Sequence, residues 1–159
     1  MTLNIRPLVD ADADGLIALI SGCFAEYEGT YIDLDDLDSD LLSYESNLKA
    51  QGGQGFVAVD AAGAIHGSVA CAPSGEARFE LKRLYLNSSL RGTGIGLKLL
   101  HTVEDIARAS GAIHMDAWSD TRFLRAHRFY EREGYRRGPH TRDLNDISNS
   151  VEYYFIKQL

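Results

Sequence analysis

The chain has 159 residues and a formal charge of −7 at pH 7, and 45% of it is hydrophobic. That length and composition allow a single domain over residues 1–159 with a real core and no disulfide or metal staple, and no apolar run is long enough to span a bilayer. The acidic balance excludes a nucleic-acid partner as the first reading and suits a cationic amine, although acidity also serves plain solubility. Cys23 and Cys71 stand apart without paired spacing, which predicts two reduced core thiols in a cytoplasmic protein. The N-terminus lacks the apolar segment of a secretion signal. The histidines at 66, 101, 114, 127 and 140 have no metal-ligand spacing, so no metal is expected.

Taken in order, Leu3–Leu8 alternates and predicts a first strand ended by Pro7. From Asp10, small and acidic residues open a helix whose apolar positions run from Leu16 to Tyr27, with Gly29 closing it. Thr30–Asp40 is a loop carrying Asp33, Asp35, Asp36, Asp38 and Asp40, and a second helix follows through Leu41, Tyr44 and Leu48. Phe56–Val59 and Ile65–Ala72 form a hairpin about Asp60–Gly63, and Pro73–Glu76 makes a second turn. Arg78–Leu86 is a fourth strand. A helix through Leu99, Leu100, Val103, Ile106 and Ala107 comes next and stops near Gly111. Ala112–Trp118 is a fifth strand, made parallel to the fourth by that crossover. Thr121–Glu133 reads as a helix, Tyr135–Arg137 starts a strand, Thr141–Asn149 is a polar turn, and Ser150–Lys157 is the last strand. The fold class is mixed α/β.

The stretch Leu84–Gly96 organises the rest. A strand empties into Arg91-Gly92-Thr93-Gly94-Ile95-Gly96, and a helix begins at once. Glycines at these positions permit positive φ and leave no side chains above the backbone. Successive N–H groups at a helix N-terminus then favour an anion such as a phosphate. The Walker loop is excluded because no Gly-Lys-Ser/Thr follows. The dinucleotide fingerprint is disfavoured by the Gly-x-Gly-x-Gly spacing and the mid-chain position.

What remains, Arg91-x-x-Gly94-x-Gly96 together with Ala126-His-Arg-Phe-Tyr130-Glu-Arg-Glu-Gly134-Tyr135, resembles the GNAT superfamily of N-acetyltransferases. The resemblance covers most of the chain, best from Phe79 to Tyr135. It implies a central, mostly antiparallel sheet splayed between its fourth and fifth strands and flanked by helices. It implies acetyl-CoA as co-substrate, with the pyrophosphate on the amides of Gly92, Thr93, Gly94, Ile95 and Gly96. Thr93 is a hydroxyl donor in that reading, and Arg91 either pairs with a phosphate or sits on the surface. Pantetheine would bond to backbone groups of Leu84, Tyr85 and Leu86 in the splay. Members of the family often pair with a second copy, so a homodimer is implied as well.

Tyr130 is the expected acid. A departing thiolate, whose conjugate acid has a pKa of about 8.5, is helped by a proton from a phenol. Phe123, Ala126 and Tyr130 share a helical face at i, i+3 and i+7; a plain core tyrosine is the other reading. Phe123 stands where the family often has an Asn for pantetheine, leaving Asp120, Thr121 or Arg122 to supply that bond. Glu80 is the expected base, since deprotonating an alkyl ammonium of pKa near 10.4 at pH 7 costs about 4.6 kcal/mol. Strand alternation puts Glu80, Lys82 and Leu84 on one face and Leu81, Arg83 and Tyr85 on the other. Glu80 equally reads as half of a solvated pair with Lys82, and His114 and Asp116 are reserve bases. Tyr27, Tyr31 and Trp118 are the expected wall for a small-molecule or peptide amine acceptor, with Glu28 and the aspartate run either an acidic pocket for a cation or helix caps and a solvated loop. The activity implied is acetyl transfer to a primary amine by direct attack. The alternative is a non-catalytic acyl-CoA-binding domain.

Overall fold

The computed structural model describes residues 1–159. Its elements are β1 (Asn4–Pro7), α1 (Ala13–Phe24), α2 (Tyr44–Ala50), β2 (Gln54–Val59), β3 (Ile65–Gly75), β4 (Arg78–Leu86), α3 (Ile95–Ala109), β5 (His114–Asp120), α4 (Leu124–Arg132), β6 (Arg136–Asp143) and β7 (Val151–Gln158). The seven strands form one sheet in the order β1-β2-β3-β4-β5-β7-β6. Every neighbouring pair is antiparallel except β4 and β5. The parallel pair sits where a helix, α3, makes the crossover.

Two clusters make the core. Leu16 and Ile20 of α1, with Leu41, Tyr44 and Leu48, cover Val57, Val59 and Ala70 on one face of the sheet. On the other face Leu99, Leu100, Val103 and Ala107 of α3 meet Val69, Cys71, Phe79, Leu81, Met115 and Ala117, and the cluster continues to Tyr130, Tyr135 and Phe155. Cys71 lies fully inside, and burial pushes its thiol up to about 11, so it is packing and not a nucleophile. No helix is long and apolar enough to cross a membrane.

Element boundaries differ from the sequence expectation where tertiary contacts compete. Pro7 lies within β1, opposite Phe56, on an edge strand where a missing N–H is tolerated. The first helix ends at Phe24, not Gly29; residues 25–30 unwind into turns in which Glu26 meets Arg91 and Tyr27 meets Phe123. The helix expected from Thr121 begins at Leu124, because Asp120 takes the N–H groups of Arg122 and Phe123 into a turn. Phe123 is therefore outside the helical face it was expected to share with Tyr130. The segment Thr141–Asp143, read as turn, belongs to β6. That strand is the sheet edge and nearly all exposed, so it carries no hydrophobic alternation to read.

A buried charge cluster also escapes periodicity. Glu104 of α3 is 1% exposed and accepts from the Tyr135 hydroxyl at 2.8 Å and from Lys157 Nζ at 2.9 Å. Removing Lys157 leaves an uncompensated buried carboxylate, a defect that costs about 3–5 kcal/mol. Urea unfolding of Lys157→Ala should show a loss near the lower end, since 18% of the Lys157 side chain reaches solvent. Adding Glu104→Gln should recover much of it. An unchanged midpoint for Lys157→Ala would mean that water already solvates Glu104.

Candidate active site

The site begins with a split in the sheet. β4 and β5 pair from Arg78↔His114 to Leu81↔Ala117 and no further, although β4 continues to Leu86 and β5 to Asp120. At the same level β4 gains a residue against β3, for Ser68 pairs with Tyr85 but Ala70 pairs with Lys82. Arg83 takes the strain of this bulge at φ +53, a left-handed conformation that costs an ordinary residue roughly 1–2 kcal/mol. Three contacts hold it there. Its carbonyl accepts from Ser68 Oγ at 2.7 Å, and its guanidinium reaches Asp38 at 2.7 Å and Asp40 at 2.8 Å.

The bulge reverses the expected alternation. Leu84 packs with Phe79 and Leu81 on the α3 side. Tyr85 turns to the α1 side, its ring 5.8 Å from that of Phe24. Arg83 engages Asp38 and Asp40, and Asp38 makes no side-chain cap, whereas Asp33, Asp35 and Asp36 make no side-chain hydrogen bond.

The glycine loop opens directly beyond the split. Gly92 and Gly94 have φ +77 and +87, and a Cβ built on either would meet nothing within 4 Å. Gly96 is different: it lies in the first turn of α3 without positive φ, and its nearest neighbour is Leu86 at 3.8 Å. The N–H groups of Gly92, Gly94, Ile95, Gly96 and Leu97 donate to no acceptor in the protein. These amides, at a helix N-terminus with open space above two glycines, fit a pyrophosphate. Thr93 fits less well as a donor, because its hydroxyl proton goes to the Leu90 carbonyl at 2.5 Å. Arg91 is clasped in both arms by Glu26, at 2.7 and 2.5 Å, with Arg125 3.8 Å from the same carboxylate. A phosphate must compete with Glu26 for it.

Tyr130 projects from α4 among Tyr135, Phe155 and Phe129, with ring centroids 5.7, 5.4 and 6.0 Å away. The residue is 7% exposed, yet its hydroxyl makes no hydrogen bond and is not among the sealed polar atoms. Burial, and then the Glu152 carboxylate, push its pKa up, so the phenol keeps its proton at neutral pH. Glu80 also has no hydrogen bond, and Lys82 stands 3.8 Å off. Burial raises its pKa against the pull of Lys82, which strengthens it as a proton acceptor. Asp116 is engaged by the Tyr154 hydroxyl at 2.9 Å and by Ser74 at 3.3 Å.

The three expected acceptor-wall residues do not meet. Tyr27 stacks on Phe123 at 4.9 Å, and Phe123 continues to Phe24 at 6.0 Å. An aromatic row from Tyr27 to Tyr85 thus stands where the family Asn would be. Asp120 is not free to replace that Asn, being held by both arms of Arg122. Tyr31 is 60% exposed and tied through its backbone to Ser148. Trp118 stacks on Tyr154 at 4.9 Å and lies 4.3 Å beneath Arg142. Sequence reasoning missed Glu26, Arg83, Arg142 and Glu152. Only Glu152 left a trace, as the polar member of an alternating final strand.

A sheet split between its two parallel strands, with an amide-lined loop at the split, can hold a phosphate-bearing ligand that runs into the sheet. The model of the acetyltransferase (GNAT) family matches residues 16–135, and the chain belongs to that family. Comparison with curated proteins finds no match. Among solved structures, the chain is similar to a GNAT-family acetyltransferase from Staphylococcus aureus Mu50 (22% identity, 99% of each chain, TM-score 0.86). It is similar to an acetyltransferase from Streptococcus agalactiae 2603 (23% identity, 99% of this chain and 98% of that one, TM-score 0.81). It is also similar to the PaiA N-acetyltransferase of Thermoplasma acidophilum, solved in complex with coenzyme A (20% identity, 100% of each chain, TM-score 0.75). At these identities the likeness is one of fold.

Proposed function

We propose that the protein transfers an acetyl group from acetyl-CoA to a primary amine by direct attack within a ternary complex. The observation that carries this reading is the set of amides at Gly92, Gly94, Ile95, Gly96 and Leu97 that donate to no acceptor in the protein, in the loop that follows β4 beyond its last rung with β5. The amides and Arg91 hold the pyrophosphate, and the unpaired edge of β4 at Leu84–Leu86 receives the pantetheine arm. Acetyl-CoA supplies an acyl group activated by a thiol leaving group. Glu80 draws a proton from the incoming ammonium, and Tyr130 gives its proton to the sulfur. Backbone N–H groups at the split steady the negative charge on the acyl oxygen. Tyr27, Tyr31 and Trp118 would meet the acceptor separately, since each is held by different partners.

The rival reading is a CoA-binding domain without turnover, favoured by Phe123 in the Asn position and by Arg91 locked on Glu26. One experiment separates them. Acetyl-CoA should raise the unfolding midpoint of the wild type, and free thiol should appear when tyramine, spermidine, L-lysine or a peptide with a free N-terminus is added. A midpoint shift with no thiol from any amine supports the binding domain. No shift at saturating acetyl-CoA refutes both.

A further inference from the structure

Between α1 and α2 the chain runs through residues 31–40, and the two ends of this segment are bound to the two strands that part. At one end the Arg83 guanidinium donates to Asp38 at 2.7 Å and to Asp40 at 2.8 Å. Arg83 stands on β4 just beyond Leu81, the last residue of that strand to pair with β5. Its side chain is only 16% exposed, so these charge-assisted bonds form largely out of water. At the other end the Tyr31 N–H donates to Ser148 Oγ at 2.8 Å, and that hydroxyl donates to the Tyr31 carbonyl at 3.2 Å. The Ser148 carbonyl accepts from Arg122 at 3.0 Å. Arg122 in turn holds Asp120, the last residue of β5, which lies beyond the final rung at Ala117.

The segment between these ends is not slack. The Asp33 N–H donates to the second oxygen of Asp38 at 2.7 Å, and the Asp38 N–H donates to the Asp33 carbonyl at 2.8 Å. The carboxylate that takes Arg83 therefore also closes its own loop. Ile32 packs against the same core cluster as Phe24 and Tyr85. A short run of chain, tied by hydrogen bonds at each end and within, thus links β4 to β5 past the point where the sheet has rungs of its own.

We infer that residues 31–40 are a strap that sets the width of the β4–β5 gap, with Arg83 and Arg122 as positioning residues at its two ends. The strands diverge with no rung to hold their spacing, and a groove whose walls must be ordered by the ligand binds it less tightly. The strap fixes that spacing before the ligand arrives. Arg83 acts through Asp38 and Asp40, and Arg122 acts through Asp120 and Ser148. The inference rests on the acetyl-CoA reading of the gap, but one arm of its test needs no ligand.

Asp40→Ala and Ser148→Ala each cut one end. Both leave the arginine concerned with a carboxylate partner, Asp38 or Asp120, so neither strands a buried charge. In native-state hydrogen exchange, Ser148→Ala leaves the Tyr31 amide without its acceptor. A strap that moves as one unit should then also exchange faster at the Asp33 and Asp38 amides, at the far end. Asp40→Ala should likewise speed exchange at Tyr31. By titration calorimetry each variant should bind acetyl-CoA about fivefold more weakly. The double variant should bind no more weakly than the worse single one, because a strap cut at one end has nothing left to hold. Two separate local contacts would instead give losses that add. Exchange that rises only beside the cut, wild-type affinity in both single variants, or losses that add in the pair overturns the strap and leaves acetyl-CoA binding intact. A wild type that does not bind acetyl-CoA overturns the cofactor reading and the strap's role with it.

Discussion

Gly94→Glu should abolish stabilisation by acetyl-CoA while leaving a folded protein. In the wild type, ligand at about a hundredfold over its dissociation constant adds about 2.7 kcal/mol, which for a chain of this size raises the midpoint by roughly 5–10 °C. The glutamate would project a carboxylate into the space above Gly94, which is clear to 4 Å, among the amides proposed to hold the pyrophosphate. Its left-handed φ of +87 adds a strain of roughly 1–2 kcal/mol to the apo protein. Gly94→Asn separates the two effects, because Asn tolerates that conformation and carries no charge. It should keep more of the shift than Glu does. Glu26→Gln should act in the opposite direction, since it frees Arg91 and Arg125 for phosphate, and titration calorimetry with CoA should show tighter binding. Weaker binding in Glu26→Gln would mean that Glu26 instead holds Arg91 ready for the ligand. A full shift in Gly94→Glu would refute the loop as the pyrophosphate site.

Tyr130→Phe should lower kcat by about a hundredfold at neutral pH, at the low end for loss of a general acid and equal to about 2.7 kcal/mol of transition-state stabilisation. The low end is expected because the leaving thiol has a pKa of only about 8.5. For the same reason the deficit should narrow as the pH rises past that value, where the thiolate departs without a proton. Stability should hardly change: the hydroxyl has no partner to strand, and the ring keeps its packing against Tyr135 and Phe155. Binding of acetyl-CoA should survive, as the cradle is untouched. Steady-state rates across pH, with the thermal shift as control, test this. A variant with unchanged kcat would return Tyr130 to the core and leave sulfur to depart unaided.

The local grammar of the chain determined a good deal by itself. The order of strands and helices, the glycine cradle with its positive φ at 92 and 94, and the placement of Tyr130 near the end of its helix were all legible, because each rests on residues close in sequence. Backbone conformation at a glycine and the start of a helix depend on neighbours within a few positions. Tertiary structure decided the rest. The extra residue at Arg83 exchanges the faces of Leu84 and Tyr85, and nothing in the β4 sequence announces it; the strain is met by Ser68, Asp38 and Asp40, which are distant in the chain. Phe123 leaves the helical face of Tyr130 for a stack with Tyr27 and Phe24. Arg142 and Glu152 are brought together only where β6 pairs with β7, so the fixing of one carboxylate oxygen depends on pairing across the sheet. Periodicity reports which side of an element faces the core. It does not report which polar side chains are brought together at a gap between strands.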